Sequence, residues 1–347
     1  MKKNFLYKVG LAVSVCFLFG ISASAATNYD SDLSKVLTAM KSVKSAKFSF
    51  QGLNSGRTTS AYPVSYQSKK LSNATTNESS FNIGFDGLFE GTGDNLNSEA
   101  TVVAQIKSSG SGMSLIPTVK IKADFKSLGM KALYLKLVEA PFVGSSMMLT
   151  DPNSLGLAKY VNKWLVLDYD ELKREYPEVK KAYEENNTSQ LAKSNTLSRF
   201  YDLLQKNKVI KITSKTAGGK IGSIDTTNYK FTIDNAAQLR FYLAMAKDFQ
   251  GKTMTNSEVK MLAEDIKQLG PINGDIWVGT NDNLIYRFKT RGTIKKEERQ
   301  YGYYLSLNKY DLTLSLSDHN NPANKVIVPV QAESVIKIFK EWQKKMK

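Results

Sequence analysis

The chain has 347 residues, with 48 Lys and Arg against 32 Asp and Glu, a formal net charge of +16, one cysteine and one histidine. That inventory excludes a disulfide framework and a cysteine- or histidine-rich metal centre, while the length suffices for a packed core. The positive balance suits anionic surfaces such as phospholipid headgroups or wall polymers; the lysines are scattered rather than gathered in one block with interleaved aromatics, which disfavours nucleic acid.

Residues 1–25 read as a targeting segment: Lys2, Lys3 and Lys8 precede an apolar run over 9–21, and Ala23-Ser24-Ala25 offers small residues for cleavage. The run is shorter than the roughly 20 residues of a comfortable membrane span. The expectation is a signal peptide cut after Ala25 and an exported protein, periplasmic or extracellular in the cell envelope; the alternative is an uncleaved N-terminal anchor. Cys16 follows Val15 inside the apolar run, so it lacks the small preceding residue that a lipoprotein signal needs. The cleaved chain, 26–347, would then hold no cysteine, and its charge of about +13 could simply be a solvated face that keeps it soluble.

An opening helix is predicted over 28–46, capped by Asp30 or Ser31, with Leu33, Val36, Leu37, Met40 and Val43 on one face. Strands follow at 47–52 and 61–69, with Ser-, Thr- and Asn-rich loops at 54–60 and 72–79. Between 80 and 140 four segments alternate strictly: Phe81, Ile83, Phe85; Ala100, Val102, Ala104, Ile106; Val119, Ile121, Ala123, Phe125; and Leu133, Leu135, Leu137, each interleaved with mostly polar residues. Four strands with one dry and one wet face describe an antiparallel meander, and the dry face needs a cover.

After a link at 141–157 containing Met147 and Met148, a strand is predicted at 160–168, a charged helix at 170–186 interrupted or bent at Pro177, and a second helix at 189–207. Strands at 208–214 and 228–233 flank a glycine-rich turn; Ala217-Gly218-Gly219-Lys220 lacks the Walker spacing. Asp234 should cap one helix, and Thr255 or Ser257 another that Gly270-Pro271 stops. The hairpin 273–290 follows, with Trp277 between Ile276 and Val278. Alternation leaves open which face is inward; the expectation is Trp277, because Asp275 and Gly279 share its side without filling it. A long strand or strand pair at 299–316, a short strand at 326–330 and a C-terminal helix at 333–347 complete the chain. Strands and helices are segregated, an α+β pattern in one domain.

Catalytic constellations are not visible. His319 stands in the turn Asp318-His319-Asn320-Asn321 and is expected to be solvated; no serine has a G-x-S-x-G context. The pairs Asp168/Asp170 and Glu184/Glu185 bracket a charged helix rather than a cleft, and the residues around Asp282 do not reproduce a calcium loop. The chain therefore reads as no enzyme, with no metal and no cofactor. A hydrolase would be revived only by activity depending on Asp168 or Asp170. Methionines such as Met147 and Met148 adapt to irregular apolar partners, and Trp164 and Trp277 pack equally well in a core or a pocket.

Four features together resemble the LolA/LppX-type lipoprotein-carrier superfamily, including its LppX/LprG-like branch. They are the opening helix running into LTAMKSVKSAKFSFQG, the strand YVNKWLVLD with its charged helix, the hairpin GDIWVGTNDNLIYRFK, and IVPVQAESV before the last helix. The resemblance spans most of the chain through loose motifs. It implies a large bent antiparallel sheet, an open half-barrel, with helices covering the concave face over a hydrophobic cavity. The chain departs from the pattern in lacking a usable lipobox and in carrying extra helical material around 170–207. The implied ligand is a lipid or acylated protein, and the implied lining is Phe81, Ile83, Phe85, Val119, Ile121, Phe125, Leu133, Leu135, Leu137, Met147, Met148, Trp164 and Trp277. The alternative is an envelope interaction or sensor module with a packed core that binds anionic wall polymer or a protein partner.

Overall fold

Alternating side chains and long backbone pairing dominate the computed structural model, which describes residues 30–61, 72, 74–91, 96–110, 116–129, 131–139, 158–178, 202–207, 209–251, 253–298 and 303–346. In chain order these are α1 (Asp30–Lys41), β1 (Ser45–Ala61), β2 (Thr75–Glu90), β3 (Asn97–Gly110), β4 (Ile116–Leu128), β5 (Ala132–Glu139), β6 (Trp164–Asp168) and α2 (Tyr169–Glu175). There follow β7 (Lys211–Ile221), β8 (Ile224–Ile233), α3 (Asn235–Gln250), α4 (Asn256–Leu269), β9 (Ile272–Gly279), β10 (Ile285–Glu298), β11 (Tyr303–Ser317), β12 (Glu333–Ser334) and α5 (Val335–Met346). The strands form one open sheet in the order β12-β6-β5-β4-β3-β2-β1-β11-β10-β9-β8-β7. It is mixed, because β12 runs parallel to β6 while β1 through β6 pair antiparallel. The predicted signal peptide, Met147, Met148 and most of the helical insertion lie outside the described residues.

The chain divides into two compact units, each discontinuous in sequence. The first holds α1, residues 202–207, β7 to β9, α3, α4 and the adjoining parts of β10 and β11. Its helix ends are closed locally. Asp234 accepts the Ala237 N–H at 2.7 Å at the start of α3. Thr255 and Glu258 form a reciprocal capping box on α4, and Gly251, at φ 62°, closes α3 in the left-handed conformation that glycine adopts without strain. Buried Gln238 ties the segment together by donating to the Ile233 and Gly270 carbonyls at 3.3 and 3.0 Å. Val36, Leu37 and Met40 of α1 are buried, and its Asp32 carboxylate binds both Lys215 of β7 and the Tyr229 hydroxyl of β8, the latter at 3.3 Å. Lys215 and Tyr229 together hold that carboxyl below the usual carboxylate range against the cost of its partial burial.

The second unit holds β1 to β6, α2, part of β10 and β11, and residues 320–347. Asp168 caps α2 by accepting the Asp170 and Glu171 N–H groups at 2.8 and 2.9 Å, and the helix stops at Tyr176, the residue before Pro177. Asn320 clamps the start of β1, its side chain accepting the Lys44 N–H at 2.6 Å while its own N–H reaches the Ser45 carbonyl at 2.7 Å.

Several expectations change. The opening helix ends at Lys41, and Ser45 and Ala46 already belong to β1. The polar stretches 54–60 and 75–79 are strand rather than loop, because β1 and β2 pair from Ser45↔Glu90 to Ser60↔Thr75. A continuous ladder gives backbone polar groups along that run partners across the pair, and this outweighs the turn preference of Ser, Thr and Asn. Gly218-Gly219 is an irregularity within β7, and the β7–β8 turn lies at Gly222-Ser223. Residues 326–330 form no strand; the last strand is the two-residue β12.

Candidate functional site

Residues directly opposite in a ladder share a face, so register decides which side chains lie together. In the second unit Phe81 pairs with Ile106, and Ile106 with Val119; Ile83 pairs with Ala104, and Ala104 with Ile121. Phe85 leads through Val102 and Ala123 to Leu137, and Phe125 leads through Leu135 to Leu165. Leu133 pairs with Leu167. Nine predicted site positions therefore fall on one face of β2, β4 and β5. For Val119 this is a register position, its side chain lying outside the described residues.

This face is neither sealed nor bare. Phe50, opposite Phe85, is buried at 1 % exposure with its ring 5.6 Å from that of Phe85. Phe81, Ile83, Phe85, Phe125, Leu133, Leu135 and Leu137 are half-buried, and Ile121 reaches 39 % exposure. The residues missed at first, Val102, Ala104, Leu165 and Leu167, carry the same period-two signal. Across this face β3 contributes the smaller Val102 and Ala104 and the exposed Ile106. Phe48 lies over Gly87, where a Cβ would collide with the ring and with the backbone of β3.

Trp164 is not part of this face. It pairs with Lys136, which places it on the opposite side with Asp86, Thr101 and Asp124. There the Lys126 and Lys136 ammoniums sit 5.7 and 5.3 Å from its ring centroid. Lys136 also pairs with Asp124 at 3.3 Å, Lys126 with Glu99 at 2.7 Å, and the Thr101 hydroxyl donates to Asp124 at 2.9 Å. Around them lies a polar depression of about 240 Å³ bordered by Asp86, Thr101, Asp124, Lys126 and Trp164. The indole therefore lies beside two ammoniums, themselves paired to carboxylates, on the face opposite the nine apolar positions.

Trp277, in the first unit, also departs from expectation. Ile276 and Val278 are the inward residues, at 0 and 3 % exposure. Ile276 stands between Tyr229 and Phe288, and Val278 between Thr227 and Ile285. Trp277 takes the other face, between Asn228 and Arg287, with the guanidinium carbon 5.7 Å from its ring. The reason is volume. Phe231 and Phe288 stack on the inner face with centroids 5.3 Å apart, and Gly274 leaves room there for the Phe231 ring. That layer is already filled by these two rings together with Ile276 and Val278, and an indole would overpack it.

His319 is not a solvated turn residue. It is half-buried, with both ring nitrogens shielded from solvent and its ring edge-on to Tyr286 at 4.9 Å, and neither nitrogen meets a partner of good hydrogen-bonding geometry. Burial pushes its pKa below the ordinary 6.5, partly opposed by Asp282. The Tyr286 hydroxyl donates to Asp282 at 2.7 Å, and burial together with that bond holds the phenol protonated far above neutrality. Among the described residues no three His, Cys, Asp or Glu side chains gather in a metal-binding arrangement, and no helix is long and apolar enough to cross a membrane.

No protein-family model matches the sequence, and no curated protein matches it.

Proposed function

We propose that this is a non-catalytic, exported carrier that holds the acyl chains of a lipid or acylated protein against the apolar face of β2 to β5. On this reading the chain is a LolA/LppX-like protein, its open sheet is a half-barrel, and helices cover the concave side. The observation that carries the proposal is the nine-position apolar face, held in register across three strands, on which seven side chains are half-buried and Ile121 is exposed. A sheet face serving only as core would be expected to reach the near-complete burial of Ile276 or Phe231. Each methylene taken from water is worth about 0.8 kcal/mol, so an acyl chain crosses an aqueous envelope only inside a protein or micelle.

Native mass spectrometry and organic extraction of the purified protein test this. Bound acyl chains are expected, reduced in an Ile83→Asp variant. A reproducibly lipid-free protein that takes up no fluorescent fatty acid refutes the carrier reading.

A second reading has its own support. The inner layer of the first unit is filled by Ile276, Val278, Phe231 and Phe288, as a packed interaction or sensor module would be. Salt-sensitive binding to anionic wall polymer without lipid uptake would select that module.

A further inference from the structure

Exposed apolar side chains concentrate near the C-terminus. Ile327 is 73 % exposed, Val328 42 %, Val330 100 %, Val335 36 % and Phe339 46 %. Monomeric surfaces tolerate scattered apolar residues, and here five exposed ones fall within the thirteen positions 327–339, a density that points to an interaction surface. The backbone beneath it is anchored. The Val326 N–H donates to Glu90 at 3.0 Å, and the Ile327 carbonyl accepts from Lys126 at 2.8 Å. Ile327 and Val328 thus remain exposed although the chain carrying them is tied to the sheet.

The helix α5 also carries exposed apolar residues. Its packed side is marked by buried Ile336 and by Lys340, which pairs with Glu175 of α2. Val335 and Phe339, four residues apart, stack on a different side and are exposed. Residues 320–347 carry six lysines against two glutamates, and Lys325, Lys337 and Lys344 are exposed.

We propose that residues 327–339 are a docking surface for an anionic phospholipid bilayer. Val330, Ile327 and Phe339 enter the boundary between headgroups and acyl chains, and the neighbouring lysines meet lipid phosphates. Charge complementarity selects this occupant. A second copy would set the same excess of lysines against itself, and a soluble wall polymer would leave the aliphatic side chains in water. Apolar burial joined to attraction for anionic lipid is how amphipathic helices hold a membrane interface. The inference deepens the carrier reading by naming the surface through which cargo would be exchanged, and its test needs no cargo. A protein that docks but extracts no lipid would sink the carrier alone.

The test is co-sedimentation of the full chain with vesicles of equal phosphatidylglycerol and phosphatidylcholine, and with vesicles of phosphatidylcholine only. Binding is expected to the first and to be at least about tenfold weaker to the second. Val330→Asp and Phe339→Asp should each weaken binding by about tenfold or more, while Leu53→Asp, at another exposed apolar position (45 %), should not. Val330 makes no buried contact, so its variant should fold normally, as circular dichroism would verify. Failure to bind anionic vesicles, binding indifferent to both Asp variants, or self-association abolished by Val330→Asp would each overturn the proposal.

Discussion

Exchanging the roles of two adjacent residues on β9 gives a direct measurement of which face of that strand is core. Ile276 is fully buried between Tyr229 and Phe288, and Ile276→Ala removes three carbons from that layer. At about 0.8 kcal/mol per methylene the transfer loss is about 2.4 kcal/mol, and the cavity left behind brings the cost to about 2–5 kcal/mol. For a urea dependence of about 3 kcal/mol per molar, the upper end for small proteins, the unfolding midpoint should fall by about 0.7–1.7 M. Trp277→Ala removes a far larger side chain, yet from the half-exposed face, where its specific contact is with Arg287. A cation–π contact there is worth about 0.5–1 kcal/mol, and truncation at a position that solvent reaches leaves no sealed cavity, so the variant should cost less than Ile276→Ala. Urea titration followed by far-ultraviolet circular dichroism makes the comparison without depending on tryptophan fluorescence. Equal costs, or a larger cost for Trp277→Ala, would refute the assignment of faces.

His319 predicts a pH dependence. Because burial sets its folded pKa below 6.5, the unfolded chain takes up the proton first as pH falls. Its contribution is fully present above about pH 6.5 and is lost between there and the lower folded pKa. Stability of the wild type should decline across that window, and His319→Phe, which keeps a ring against Tyr286, should remove this part of the decline; parallel stability profiles for the two proteins would contradict it. At the start of α4, Thr255→Ala should cost about 1 kcal/mol by opening the capping box, whereas Thr255→Ser should retain most of it. Thermal unfolding compares the three proteins, and identical midpoints for Ala and Ser would show that the cap contributes nothing.

The polar depression beside Trp164 illustrates how one strand serves two surfaces. Leu165 and Leu167 extend the apolar face, while Trp164 and Val166 belong to the other side of β6. The period-two rule contains this division, but an aromatic residue at a strand end invites assignment to the apolar side. Only the pairing with Lys136 shows that the indole lies among ammonium groups.

The amino-acid sequence by itself determined the elements that rest on local physics. Strict alternation from Phe81 to Leu137 specified the meander and the shared face of its large residues, since a strand turns successive side chains to opposite sides whatever it pairs with. Asp234, Thr255 and Gly270-Pro271 marked helix ends, because capping joins groups only a few residues apart. Tertiary structure decided the rest. Alternation is unchanged when a strand is turned over, so whether Ile276 or Trp277 faces inward depended on the volume left by Phe231, Phe288 and Gly274. Whether the polar residues 54–60 form loop or strand depended on a partner ladder in β2. The burial of His319 depended on Tyr286, more than thirty residues away in the chain. Interactions within a turn or a strand are written in neighbouring residues; volume, partner and burial are supplied by residues that only folding brings near.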